Sequence, residues 1–232
     1  FNDSLILLND VIKINPDFKT ALREKAHVCF HLDQINEASQ IIDEYINFNH
    51  NDHLGLNIKG IILLKYKNFE KALTVFQTVI KLAPNYIPAL NNISSCYRNL
   101  NEPQKSIDYI KKAINIKPDF IEGRINLGAY LIEIGSSIEG IKYLNEVLKS
   151  KNTAVVNLNL AIGYFFNENF DKAEKHFKIS YKLDPNLEGL NKNYSSYLLY
   201  KQRYKQAWEL ICKQVNFNNF FYSSNYINKF KN

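Results

Sequence analysis

The sequence predicts an all-α fold of stacked antiparallel helix pairs, and three observations predict it. The stretch from His53 to Tyr86, HLGLNIKGIILLKYKNFEKALTVFQTVIKLAPNY, reads as two amphipathic helices joined by a tight turn at Lys67 and Asn68. Pro84 stops the second helix, having no N–H to donate and a ring that clashes with the preceding turn. Prolines recur with one period: Pro84 and Pro118 are 118 − 84 = 34 residues apart, and Pro16 precedes Pro84 by 84 − 16 = 68, two such periods. Small side chains recur with the same period. The first helices carry Ala26, Gly60, Ser94, Gly128, Ala161 and Ser195, and the second helices Ser4, Ala38, Ala72, Ser106, Gly140, Ala173 and Ala207.

Each recurring position has a mechanical reason. Gly60 and Ala72 are expected where the paired helices cross most closely, since a larger side chain would hold the backbones apart. Leu56, Leu63, Phe69 and Phe76 fill the space around that crossing and against the next pair, because a lone helical pair cannot bury its apolar stripe.

In chain order, residues 1–18 match only the second helix of the unit, with Phe1, Ser4, Leu8 and Pro16 in the places of Phe69, Ala72, Phe76 and Pro84. The missing first helix suggests a cut inside a longer array and predicts an exposed apolar face at this end. Full units then start at residues 19, 53, 87, 121, 154 and 188, the fourth being one residue short near Lys151 and Asn152. Departures from the pattern are Lys25 and Lys59 in place of leucine, Pro103 and Ser137 in place of an aromatic residue, and Arg124, Asn157 and Asn191 in place of Trp or Leu. They are expected to weaken packing locally without breaking the register. Residues 216–232, rich in Phe and Tyr, read either as a capping helix over the last unit or as a linker to a further domain.

This pattern resembles the tetratricopeptide repeat, whose period is 34 residues. The second-helix large position (Leu8, Ile42, Phe76, Ile110, Leu144, Phe177, Ile211) and the stop position (Pro16, His50, Pro84, Pro118, Asn152, Pro185) carry the resemblance from residue 1 to about 215. It implies a right-handed superhelical solenoid, a protein-interaction scaffold whose first helices line a concave groove.

The resemblance implies one inward position that reads Glu24, Ile58, Asn92, Asn126, Asn159 and Asn193. Four successive asparagines form a ladder there, and an amide that both donates and accepts can grip the backbone of an extended peptide whatever its side chains. The peptide-holding repeats of O-linked N-acetylglucosamine transferase, which this resembles, work that way. Apolar neighbours Leu54, Ile58, Ile61, Leu158, Ile162, Phe165, Phe166 and Tyr200 would leave a large open patch unless a segment covered them. The expected peptide-binding set is Asn92, Asn126, Asn159, Asn193, Ile58, Ile162, Phe166 and Tyr200. The carboxylate clamp of chaperone-binding relatives is not reproduced: Arg23, His27, Ile58, Pro88 and Asn92 stand in its places.

Composition excludes several classes. Of the 232 residues 46% are hydrophobic and 22% charged, within the folded soluble range. The net charge of +6 is modest, and the lysines are mixed with Asp and Glu instead of forming a block, which points to a solvated surface and no nucleic-acid partner. No apolar run reaches the ~18 residues of a membrane span, so no membrane partner is expected. Cys29, Cys96 and Cys212 form no disulfide framework and suggest a reducing, cytoplasmic setting. His27 and His31 have a spacing that could hold a metal, but no HExxH and no obvious further ligand accompany them, so no metal site is expected. No catalytic triad or phosphate loop is visible; no cofactor and no enzymatic activity are expected of these residues. The last unit, with Ala207, Trp208, Glu209 and Leu210, resembles the repeat that precedes the catalytic region of bacterial repeat-bearing glycosyltransferases. That resemblance implies an alternative: the chain as the substrate-presenting arm of a larger transferase whose catalytic domain lies downstream.

Overall fold

The computed structural model describes residues 1–215; the proposed cap or linker at 216–232 lies outside them. The described residues form thirteen helices and no strand. They are α1 (Asn2–Ile14), α2 (Thr20–His31), α3 (Ile35–Phe48), α4 (His53–Lys65), α5 (Phe69–Leu82), α6 (Ile87–Asn99) and α7 (Pro103–Ile116), then α8 (Ile121–Glu133), α9 (Ser137–Ser150), α10 (Ala154–Phe166), α11 (Phe170–Leu183), α12 (Leu190–Tyr200) and α13 (Tyr204–Val215). None of them is long and apolar enough to cross a membrane. Two compact units result, one of Phe1–Gly123 and one from Arg124 onward, with the division inside α8.

The turn inside every helix pair is one motif. After α4, Lys67 takes a left-handed φ of 57°, its N–H bonds the Leu64 carbonyl at 2.9 Å, and the Asn68 N–H bonds the Leu63 carbonyl at 2.9 Å. These two bonds satisfy carbonyls that the helix end would otherwise orphan. Asp33, Asn101, Gly135, Glu168 and Gln202 repeat the geometry in the other pairs. Only Gly135 is free of the Cβ penalty, roughly 1–2 kcal/mol for other residues. The motif persists because it lets the second helix start at once: Asn68 and Asn169 also cap α5 and α11, accepting from Lys71 N and Lys172 N.

In the first unit, α2, α3 and α4 enclose Ala26, Cys29, Ala38, Ile42, Tyr45 and Ile62, while α4, α5 and α6 enclose Leu56, Ala72, Phe76, Val79 and Ile93. A Cβ on Gly60 would stand 2.4 Å from the Phe76 ring, so the bare position is demanded by the partner helix's large residue. Where α6 crosses α7 the small pair is Ser94 and Ser106. Both are buried, with Ser106 donating to the Ser94 carbonyl at 2.8 Å and the hydroxyls 2.9 Å apart. Buried polar groups are tolerated only when paired, and these are. Helix α1 buries no residue, and Ile6, Leu7 and Ile14 are exposed.

A polar latch ties α2 to the start of α4. Asp52 caps α4 by accepting from Leu54 N and Gly55 N, and its Oδ2 also accepts from Tyr45 Oη at 2.8 Å and Arg23 Nη1 at 3.1 Å. Burial raises the Asp52 pKa, but the bonds from Tyr45 and Arg23 outweigh it and leave the carboxyl below the usual range.

In the second unit α8 and α9 cross at two glycines: a Cβ on Gly140 would lie 2.5 Å from the Gly128 carbonyl oxygen. The polar departures are compensated unevenly. Arg124 reaches Glu146 at 3.3 Å. Asn157, 1% exposed, accepts from His176 Nδ1 at 2.9 Å and donates to Asn152 Oδ1 at 2.6 Å and the Thr153 carbonyl at 2.9 Å. Burial, with Lys175 and Lys172 nearby, holds His176 below the usual imidazole pKa. At Asn191 the buried Oδ1 has no partner among the described residues.

Glu174 closes the end of this unit. Its carboxylate takes Lys178 at 2.8 Å, Arg203 at 2.6 Å and the Tyr197 hydroxyl at 3.2 Å, bridging α11, α12 and the turn into α13. The hydrogen bonds from Lys178 and Arg203 lower its pKa from 4.5 to about 2. A depressed carboxyl stabilises the fold fully above its unfolded pKa and loses that contribution as pH falls through the folded value. Acid titration from about pH 5 to pH 2 should therefore loosen α11–α13. The side chain is 24% exposed, so the loss should be about 1–2 kcal/mol. In Glu174→Gln this component of the acid transition, followed by circular dichroism, should vanish.

Candidate functional site

Within each unit the first helices are neighbours. In the first, α4 adjoins both α2 and α6. In the second, α10 adjoins α12, and Gly163 of α10 lies so close to Ile132 of α8 that a Cβ would meet its side chain at 2.7 Å. The two walls differ in chemistry.

The wall of the first unit is polar. Arg23 is held by Glu24 and Asp52, and Lys65 pairs with Asp33 at 3.0 Å. His27 and His31 are exposed with their Nε2 atoms 3.0 Å apart. Burial and the neighbouring His31 hold His27 below the usual imidazole pKa. Asn92 is half-buried and donates to Asn57 Oδ1 at 3.4 Å, a long bond that a stronger acceptor could replace. Ile58 is corrected here. It is only 9% exposed, packed among Ala26, Cys29 and Ile62, so the inter-helix core takes it and no open wall is left for it to line.

The wall of the second unit is apolar and aromatic. Phe166 is 63% and Tyr200 59% exposed. Phe165 stands between them, 6.0 Å from Phe166 and 5.4 Å from Tyr200 by ring centroids. Phe170 closes the group against Tyr200 at 5.2 Å, with the Lys201 ammonium 5.1 Å from its ring. Ile162 is half-buried beside them, whereas Leu158 is buried in the core. Asn126 and Asn159 are both half-buried on α8 and α10, and Asn159 makes no hydrogen bond among the described residues. Asn193 is turned back on its own helix, donating to the Gly189 carbonyl at 2.8 Å. Gly189 is left-handed, φ 77°, so α12 begins at Leu190 and the amide completes its first turn. The four asparagines are thus on the first helices, but with unequal freedom to bind.

Phe170 was not among the sequence candidates. It holds the position occupied by Phe69 and Tyr204 in other units, and only its proximity to Tyr200 makes it part of the wall. The Asn157–His176 pair was equally invisible, since its members are 19 residues apart on different helices.

Residues 87–120, which contain α6 and α7, match the family profile for the tetratricopeptide repeat. The fold agrees: a structure of the APC/C hetero-tetramer Cut9–Hcn1 superposes with a TM-score of 0.77 over 85% of this chain and 39% of that one, at 18% identity. Residues 87–120 are thus a tetratricopeptide repeat, and the other helix pairs share its fold. Another structure of this class, YrrB, described as a repeat protein with an unusual peptide-binding site, superposes with a TM-score of 0.60 over 84% of this chain and 97% of its own, at 14% identity. In sequence the chain is similar to the peroxisomal targeting signal receptor of Candida albicans, 25% identical over 46% of this chain. It is also similar to the human protein O-mannosyl-transferase TMTC3, 25% identical over 80% of this chain. The chain spans 18% of that receptor's length and 21% of that transferase's.

Proposed function

We propose that this tetratricopeptide array is a protein-interaction scaffold that holds an extended partner segment on its first-helix faces. The observation that carries the reading is on α10 and α12. The unpaired, half-buried Asn159 amide lies on the same wall as the exposed rings of Phe166 and Tyr200. A solvent-reached amide with no protein partner among the described residues, beside uncovered rings, is free to bond the backbone of a chain that covers those rings. Asn92, Asn126, Asn159 and Asn193 would take the partner's backbone, and Ile162, Phe166 and Tyr200 its apolar side chains. The names of the receptor and of YrrB, a targeting signal in one and a peptide in the other, favour a peptide ligand.

The test uses an array of random 15-residue peptides probed with the full chain. Peptides selected by the wild type should bind the variant with all four asparagines changed to Ala at least about 30 times more weakly, since four lost amide bonds at roughly 0.5 kcal/mol each, the low end of their usual worth, already cost about 2 kcal/mol. Helicity should hardly change. Unaltered binding by the selected peptides would remove the ladder from the mechanism.

The similarity to a transferase across 80% of this chain favours a second reading, the array as the substrate-presenting arm of a larger enzyme. The gene on either side of these residues distinguishes the two: a transferase domain supports the arm, and further repeats support the scaffold alone.

A further inference from the structure

We propose that the cleft at the start of α9 binds a phosphate monoester carried on an apolar peptide segment. The cleft has a volume of about 530 Å³ and lies between the turn that joins α8 to α9 and the end of α10. It is built mostly from that turn and from the second helix α9, and shares Phe166 with the first-helix wall. The assignment does not depend on what the wall holds.

Several donors at this place have no acceptor among the described residues. In the turn, the N–H groups of Gly135 and Ser136 go back to the Ile132 and Leu131 carbonyls at 3.1 and 2.7 Å. Helix α9 then begins without a side-chain cap, and its own ladder starts only where the Gly140 N–H reaches the Ser136 carbonyl at 3.1 Å. The N–H groups of Ser137, Ile138 and Glu139 are left over at the positive end of the helix dipole. A bare helix start would be met by water; Ser137 marks this one. That residue is only 8% exposed, its hydroxyl has no partner among the described residues, and its oxygen is not one of the fully enclosed unpaired atoms. Its small open part therefore gives onto the cleft that it lines, where it is free to donate to a ligand.

Lys142 supplies the charge. It lines the cleft one turn beyond Ile138 on the same helix face, is exposed, and makes no ion pair among the described residues. Helical side chains tilt toward the N-terminus, which carries its ammonium toward the free N–H groups. Three backbone N–H groups, the Ser136 and Ser137 hydroxyls and this ammonium make six donors. A carboxylate offers about four acceptor positions, whereas the three oxygens of a phosphate monoester match all six. Ile138, 75% exposed, and the exposed Phe166 ring border the same cleft, so the phosphate would enter beside an apolar residue. Glu139 also lines it and opposes an anion. One ammonium beside that carboxylate suits a single phosphate and not a densely charged lipid surface.

The test uses the full 232-residue chain with a short fluorescent peptide carrying one phosphoserine between two leucines, its unphosphorylated twin, inorganic phosphate and phosphatidic acid vesicles. By fluorescence anisotropy the phosphorylated peptide should bind roughly tenfold or more tightly than its twin. Ser137→Ala and Lys142→Ala should each weaken it about tenfold, since hydrogen bonds to charged groups are the stronger kind, and Glu139→Gln should tighten it. Neither Ser137 nor Lys142 uses its side chain to bond another described residue, so circular dichroism should show both variants folded. The variant with Asn92, Asn126, Asn159 and Asn193 changed to Ala should bind the phosphorylated peptide as the wild type does, whichever way the asparagine ladder is decided. Four results would each overturn the assignment: equal binding of the two peptides, inorganic phosphate binding as tightly as the phosphorylated peptide, vesicle binding that Ser137→Ala abolishes, or binding lost in the four-asparagine variant but kept in Ser137→Ala.

Discussion

Asp52→Ala should destabilise the first unit by about 3 kcal/mol, the low end of what removing one partner of a buried ion pair costs. One carboxylate serves four donors there: the Arg23 guanidinium, the Tyr45 hydroxyl and the N–H groups of Leu54 and Gly55. Truncation strands the Tyr45 hydroxyl in a partly buried space, leaves Arg23 to Glu24 alone and uncaps α4 in the same step. Asp52→Asn should cost less, because an amide oxygen can still accept from the helix N–H groups while Arg23 keeps only Glu24 as its ion-pair partner. Native-state hydrogen exchange should show the loss as faster exchange of α2–α4 amides. Full protection in Asp52→Ala would mean that the latch is peripheral to the unit's stability.

In the second unit the largest effect is expected from Gly140→Ala, at about 3 kcal/mol, the upper part of the usual cost of forcing extra volume into a packed core. The added Cβ would meet the Gly128 carbonyl oxygen at 2.5 Å and the Ile132 nitrogen at 3.1 Å. Both are backbone atoms within helix α8, so neither can rotate away and the helices must separate. Gly128→Ala should be milder, since its nearest obstacle at 2.7 Å is the Leu144 side chain. Urea denaturation of the two variants should show Gly140→Ala unfolding earlier. The reverse order would mean that α9, not the crossing, carries the fit.

The same two regions show what could be read from residues alone. Small side chains repeating at Gly128 and Gly140 announced a close crossing, because the demand for space is local and falls at a fixed place in each unit. They did not announce its form: a bare backbone contact at Gly128 and Gly140, a hydrogen-bonded pair at Ser94 and Ser106, and a glycine facing a phenylalanine ring at Gly60. The Asp52 latch was not foreseen, since Arg23 and Asp52 stand 29 residues apart at opposite ends of one unit and nothing in the repeat pattern pairs them. The left-handed turn was equally hidden, as Asp33, Lys67, Asn101, Glu168 and Gln202 share no preference for that conformation. Two helix ends and their freed carbonyls impose it.

For the candidate site the asparagine register was legible, but not the freedom of each amide. Asn92 and Asn193 have found partners of their own while Asn159 has not. Ile58 was placed on the wall by its repeat position and in the core by Ala26, Cys29 and Ile62 packing over it.

By itself the sequence determined that this chain is helical, that its helices pair at a 34-residue period, and which residues start, stop and separate them. Those properties depend on neighbours within one turn or one pair. Only the tertiary structure decided which polar groups are already satisfied and which rings stay uncovered, because burial and hydrogen bonding are set by side chains that arrive from other repeats.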